Sequence, residues 1–303
     1  MPSREAKALS EQLRAAKAQP PAASIAEFRS RIEAITAPYN AHVAGTKATP
    51  VDAGGAPAVW IDAPEARPGH VLLYLHGGTY VGGSSTSHGG LASRLSQALA
   101  CRVLVLDYRR APDHPFPAAA DDAAKAYRWL LNQGVLPAQL LVGGDSAGSA
   151  LATAVALAAR AARWPQPAGL YLLSPWSDLA FTGPSFTALE GTDPWMSGPR
   201  LRRSAAMYLG AADPRDPRAS PLHADLRGLP PALVQVGSDE VLLDDATRLA
   251  DRLRAAGVAT TLEVGKGMWH VWPLFAPALP EGQQAIADVA AWADTLPSWR
   301  QKA

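Results

Sequence analysis

The 303-residue chain contains a single cysteine, Cys101, so it can form neither an intramolecular disulfide nor a multi-cysteine metal site. Cys101 opens an apolar run and reads as a buried structural thiol. An excess of charge of either sign is lacking too: 28 Lys and Arg stand against 27 Asp and Glu, a net charge of +1. The basic residues are dispersed, which argues against nucleic acid or an anionic membrane surface as partner and for a small polar or neutral molecule. No apolar stretch reaches the length of a membrane span, and the most apolar one, residues 147–159, stops at Arg160. The first residues are charged and lead into no signal-peptide core, so a cytoplasmic protein without membrane insertion is expected. Internal repeats are absent, as are low-complexity tracts beyond alanine-rich helices.

What is present is an alternation of strand-like and helix-like segments. Apolar positions at helical spacing run through residues 4–18 and 24–36, broken at Gln19-Pro20-Pro21, and predict two helices ahead of any strand. Strand-like runs follow at 57–61, 71–75, 102–106, 140–142, 169–173, 232–236 and 259–264. Helical patterns lie between most of them, at 89–100, 118–132, 146–163 and 242–256, with a last one at 283–292. Near-continuous apolar strands separated by helices imply an α/β protein with a mainly parallel sheet covered on both faces. Residues 177–230 interrupt the alternation; they are proline-rich, with one clear helix at about 199–209, and read as an insertion over the sheet's C-terminal edge. Gly257 suits the position just past a helix C-terminus.

The stretch 140–149, LLVGGDSAGS, carries the chemistry. An apolar strand runs into Gly144-Asp145-Ser146-Ala147-Gly148, a G-x-S-x-G pattern in which a strand–turn–helix holds a serine hydroxyl exposed and strained. Ser146 is the candidate nucleophile; the alternative is a βα turn whose serine only caps the next helix. A serine nucleophile needs a base, an orienting acid and oxyanion donors. His270, in the loop after the last strand, is where a base belongs, whereas His42, His70, His88, His114 and His223 lack that context and read as surface or structural. Asp239 and Glu240 follow the strand at 232–236, and adjacent side chains point different ways, so only one of them meets His270. The second glycine motif, His76-Gly77-Gly78-Thr79-Tyr80, follows the strand at 71–75. The N–H groups of Gly77 and Gly78, with that of Ala147, are the expected oxyanion donors, and His76 is expected to pin the loop.

These motifs, with Gly82-Gly83-Ser84, Asp107-Tyr108-Arg109, Ala111-Pro112, Pro115-Phe116-Pro117-Ala118, Ser174-Pro175-Trp176 and Met268-Trp269-His270, make the chain resemble the hormone-sensitive-lipase-like family of α/β-hydrolase esterases, in its GDSAG branch. The order serine, acid, histidine is that of the fold. The resemblance implies an α/β-hydrolase fold with a sheet of about eight strands and a cap made by residues 1–40 and the 177–230 insertion, all within one domain. It further implies two-step ester hydrolysis with neither metal nor organic cofactor, and it admits a homodimer formed through a sheet edge. One departure is Thr79, where the family has a third glycine. In relatives of the form D-P-L-R-D the acid stands four residues before a second acid and thirty before the histidine. Glu240 keeps both spacings, to Asp244 and to His270, and is favoured, with Asp239 as the alternative.

The expected activity is hydrolysis of short- to medium-chain acyl esters of small molecules, with Tyr80, Trp176, Trp195, Trp269 and Trp272 as candidate pocket residues. Asp107, Tyr108, Arg109 and Asp121 are expected to brace loops below the site. The same machinery serves a lactone hydrolase or an N-acetyl amide deacetylase. A non-catalytic receptor, as in the similar gibberellin receptors of plants, is disfavoured because those have lost the histidine that His270 supplies here.

Overall fold

Eight strands form one sheet in the order β1-β2-β4-β3-β5-β6-β7-β8. A computed structural model describes residues 1–300. The chain begins with α1 (Arg4–Lys17) and α2 (Ile25–Thr36), each capped by a serine side chain, Ser3 on the Ala6 N–H and Ser24 on the Glu27 N–H. In α1, Glu5 lies in the first turn and Arg14 and Lys17 in the last, matching the helix dipole, while Ala6, Leu9 and Leu13 are buried. The two helices precede β1 (Lys47–Asp52), β2 (Pro57–Asp62) and β3 (Arg67–Leu75). Then come α3 (Ser85–Leu99), β4 (Cys101–Leu106), α4 (Ala118–Asn132), β5 (Leu140–Asp145), α5 (Ala147–Ala161) and β6 (Gly169–Leu173).

Between β6 and β7 (Ala232–Gly237) lie the α-helices α6 (Ser185–Ala188) and α7 (Gly198–Leu209) and a 3-10 turn at Pro221–His223. The chain continues with α8 (Leu243–Ala255), β8 (Thr260–Gly265), α9 (Pro280–Ala293) and α10 (Pro297–Arg300). Gly257, just past α8, adopts φ +80°, the left-handed conformation its position calls for. No helix among the described residues is long and apolar enough to cross a membrane.

All seven expected strands form. β1 was not anticipated, because it is a polar edge strand with five of its six residues exposed and so carries no apolar alternation. β1 pairs with β2, and β2 with β4, antiparallel; every other pairing is parallel. Apolar side chains of β3 to β7 are buried on both faces, which explains their unbroken apolar runs. One apolar cluster joins the sheet to α4, α5, α7 and α8, and another joins its opposite face to α1, α3, α9 and α10. Since β3, β5, β6, β7 and β8 are parallel, the loops after them gather at one edge, where α/β sheets place their sites.

Candidate active site

Ser146 occupies the single position between β5 and α5, with φ 54° and ψ −121°. A residue with a Cβ takes this conformation only under constraint, and the constraint is visible. The Ser146 N–H donates to the Leu173 carbonyl at 2.8 Å, and its own carbonyl accepts from the N–H groups of Ser149 and Trp176, both at 3.1 Å. Gly148 must be glycine because a Cβ there would overlap the Leu75 carbonyl as α5 crosses β3. The Ser146 hydroxyl is buried and makes no hydrogen bond within the protein.

His270 lies in the loop after β8, only 3% exposed, with Nδ1 3.4 Å from Oε2 of Glu240. The approach lacks the alignment of a hydrogen bond, since Nδ1 has no hydrogen-bond partner, and it becomes an ion pair when the imidazole is protonated. Glu240 is fully buried after β7, whereas Asp239 is half-buried, turned aside, and accepts the Ser238 hydroxyl at 2.6 Å. Of the two adjacent acids, Glu240 therefore faces the histidine. Ser174 connects the pair: its hydroxyl donates to Glu240 Oε2 at 2.8 Å and accepts the N–H of Val271 at 3.0 Å. Burial pushes the Glu240 carboxyl above the usual range, partly opposed by His270 and Ser174. For His270, burial pulls downward, but Glu240 and the charges of Asp193 and Asp145 outweigh it and lift the imidazole above its ordinary value.

The loop after β3 departs from expectation at one point. The N–H of Gly77 does not face the nucleophile; it donates to Asp145 Oδ1 at 3.0 Å. The same oxygen accepts the Tyr74 hydroxyl at 2.8 Å, and His88 Nε2 stands 3.3 Å away. Gly77 is thereby committed to the residue next to Ser146, which removes it from the expected donor set. The turn that follows is left-handed at three successive residues, with φ 113° at Gly78, 58° at Thr79 and 62° at Tyr80. Among the described residues, the N–H groups of Gly78, Thr79 and Ala147 have no acceptor in the protein. His76 pins the loop as expected: Nδ1 contacts the Gly77 carbonyl at 2.7 Å, its ring stacks on Tyr108 at 4.3 Å, and burial pulls its pKa down to about 4.

A cavity of about 540 Å³ opens above Ser146 and His270, a size suited to a small organic molecule. Its floor includes Gly78 and Thr79, and its walls are largely apolar: Phe28, Ile32 and Ile35 from α2, Met207 from α7, with Trp195 and Leu274. The Trp195 ring lies 6.2 Å from that of His270. The other aromatic candidates are not lining residues. Tyr80 is buried and stacks on Tyr208 at 3.7 Å, Trp176 packs beside it, and Trp269 packs on Phe275. Trp272 is likewise buried in the core. Their proximity in sequence to the motifs misleads because large aromatics fill the layer beneath the loops first.

His88, expected to be surface or structural, is buried against Asp145 and reaches the cavity. The brace expected of Asp121 belongs to Asp122, which binds Arg109 at 2.7 Å, while Asp107 accepts the Ser85 N–H and hydroxyl. Ser174 and Asp193 were missed as site residues. Ser174 had a signal, being the first residue past a parallel strand like Ser146; Asp193 lies in an irregular loop and had none. No group of three or more His, Cys, Asp or Glu among the described residues is arranged to hold a metal ion.

A mainly parallel sheet carrying a strained serine, a histidine and a buried acid on the loops of one edge defines an α/β hydrolase that works as a serine hydrolase. A family model described as the alpha/beta hydrolase fold matches residues 72–274. An acetyl-hydrolase of Streptomyces hygroscopicus is 47% identical over 245 residues, covering 81% of this chain and 82% of its own. An esterase of Acinetobacter venetianus is 38% identical over 233 residues, 77% of each chain. The crystal structure of an esterase from the bacterial hormone-sensitive lipase family superimposes with a TM-score of 0.94 at 44% identity, covering 98% of this chain and 99% of that one. The chain belongs to the hormone-sensitive-lipase-like esterases of the α/β-hydrolase fold.

Proposed function

We propose that the protein hydrolyses carboxylic esters of short to medium acyl chain, with Ser146 as nucleophile, His270 as general base and acid, and Glu240 as the orienting carboxylate. The observation that carries this reading is the buried, unbonded Ser146 hydroxyl at the floor of the same cavity as a His270 paired with Glu240. His270 takes the proton as Ser146 Oγ attacks the ester carbonyl. The N–H groups of Gly78, Thr79 and Ala147 receive the negative oxygen of the tetrahedral intermediate. His270 then protonates the leaving alcohol, and water activated by the same imidazole hydrolyses the acyl-enzyme. Thr79 replaces Gly77 in this donor set because only its backbone N–H is free, and a side chain at this position does not alter a backbone donor.

Residues 1–40 and the insertion at 177–230 act as a cap on this single catalytic domain. Walls from α2 and α7 support that role, as do bonds from Arg14 to the carbonyls of Gly191 and Thr192. The relative named acetyl-hydrolase supports a short acyl group. A homodimer through the outer edge of β8 is supported by Val264, an exposed apolar side chain there. The test is hydrolysis of p-nitrophenyl esters from acetate to laurate by the wild type and Ser146→Ala. Turnover peaking at acetate to hexanoate and lost in Ser146→Ala is expected; wild-type turnover by that variant, or a profile peaking beyond decanoate, would overturn the assignment.

A further inference from the structure

Asp193 is fully buried in the loop between α6 and α7, yet the mechanism above makes no use of it. Its carboxylate bonds in two directions. Oδ1 accepts the N–H groups of Trp195 at 2.9 Å and Met196 at 2.8 Å, both cavity-wall residues. Oδ2 accepts the N–H of Val241 at 3.0 Å, the residue directly after Glu240. Its main chain is held as well: the carbonyl accepts Lys17 Nζ of α1 at 2.8 Å, and the N–H donates to the Leu189 carbonyl at 2.8 Å. Lys17 also reaches the Glu190 carbonyl at 2.7 Å.

We propose that Asp193 is a positioning residue for the triad: one buried carboxylate sets the loop that carries Glu240 and the wall that carries Trp195 in a single register, and α1 holds it there through Lys17. This rests on the reading of Glu240 and His270 as acid and base. The argument is one of geometry and charge. The Glu240 carboxylate has only two polar partners, Ser174 and His270 at 3.4 Å, so its orientation depends on the backbone that follows it. That backbone is anchored from outside by Asp193 Oδ2. Burial raises the Asp193 carboxyl above the usual carboxylate range, while His270 and the three N–H donors pull the other way and favour its ionised form. Its charge also lies within the field of His270, alongside Glu240 from the loop after β7 and Asp145 at the end of β5, and all three favour the imidazolium formed during turnover.

Asp193→Asn separates these roles. The amide oxygen can still serve Trp195 and Met196, but the amide nitrogen meets the Val241 N–H as donor against donor, and the charge is gone. Expected results on p-nitrophenyl butyrate are a fall in kcat of about tenfold or more, as misplacement of a catalytic group produces, and a smaller change in KM. The acid limb of the pH–kcat/KM profile should move to lower pH, because a negative charge that raises the His270 pKa has been removed. Thermal melting and near-UV circular dichroism report whether the variant is folded. Lys17→Met is the second arm; it leaves the carboxylate in place, removes the Lys17 bonds to the Asp193 and Glu190 carbonyls and changes one cavity-lining side chain, so kcat should fall a few-fold with the acid limb unmoved. A folded Asp193→Asn with wild-type kcat, or with its acid limb unmoved, would overturn the proposal. If that variant does not fold, wild-type kcat and KM in Lys17→Met would do so. Loss of all turnover in Ser146→Ala, with normal kinetics in a folded Asp193→Asn, would leave the esterase reading standing and remove only Asp193.

Discussion

The N–H of Gly77 donates to Asp145 Oδ1 at 3.0 Å, so the loop that presents the oxyanion donors is tied to the residue immediately before the nucleophile. The same carboxylate takes the Tyr74 hydroxyl and faces His88, and a Cβ at Gly77 would overlap it. One buried anion thus sets the distance between Ser146 and Gly78. The second position of the G-x-S-x-G pattern thereby joins two halves of the site.

Asp145→Asn tests that tie. An asparagine oxygen still accepts from Gly77 and Tyr74, but the charge opposite His88 is lost, and Asp145 is what holds the His88 imidazole above its ordinary pKa against the downward pull of burial. The oxyanion loop should lose register more than the substrate cavity does. The expected outcome is a fall in kcat of about tenfold to 10²-fold with KM within a few-fold of wild type, measured on p-nitrophenyl butyrate. An equal rise in KM with kcat unchanged would show that the loop had not moved.

The two adjacent acids give a sharper contrast. Glu240→Gln removes the negative partner of His270 while keeping the shape, and should lower kcat about 10³–10⁴-fold, as loss of an orienting carboxylate does in serine hydrolases. Asp239→Asn touches only the Ser238 hydroxyl and should stay within about twofold, in the range of surface changes. Steady-state kinetics on both variants decide it, and the reverse ranking would move the acid to Asp239.

How much of this was legible in the sequence follows from where each signal resides. The parallel strands could be read because burial on both faces leaves unbroken apolar runs, and Ser146 could be read because Leu75 and α5 leave room only for glycine at 148. The spacing of Glu240 to His270 reflects one loop–helix–strand unit of fixed length, so its register survived translation into three dimensions. β1 was invisible because an exposed edge needs no apolar side chains. Gly77 was misassigned because sequence shows that a backbone is bare but not which way its N–H points; Asp145, sixty-eight residues away, decides that. The aromatic wall failed for a related reason. Side-chain type shows that Tyr80 and Trp176 prefer burial, and burial beneath a loop and burial beside a ligand look alike until the packing is known. Asp193 could not have been found, since its role consists of three backbone partners on two loops.

The pH dependence follows from the shift at His270, whose imidazole must be neutral to take the Ser146 proton. Burial works against the charged form, yet Glu240, Asp193 and Asp145 together hold the pKa above the ordinary 6.5. A raised pKa means that the protonated, inactive base persists to higher pH than a free histidine would allow. Activity should therefore rise with pH through a limb lying above 6.5, and kcat/KM should fall about tenfold for each pH unit below it. The same shift makes a contribution to stability of opposite sense. A base whose folded pKa exceeds its unfolded one stabilises the fold fully below the unfolded value, and that contribution is lost as pH rises through the folded one. The enzyme should thus gain activity over the same window in which His270 ceases to contribute to stability. Profiles of kcat/KM on p-nitrophenyl acetate and of melting temperature, recorded in matched buffers for wild type and Glu240→Gln, measure both. Removing the Glu240 charge should lower the residual activity's acid limb and the stability transition together; a limb at or below 6.5 in the wild type would show that burial, and not the carboxylates, governs the imidazole.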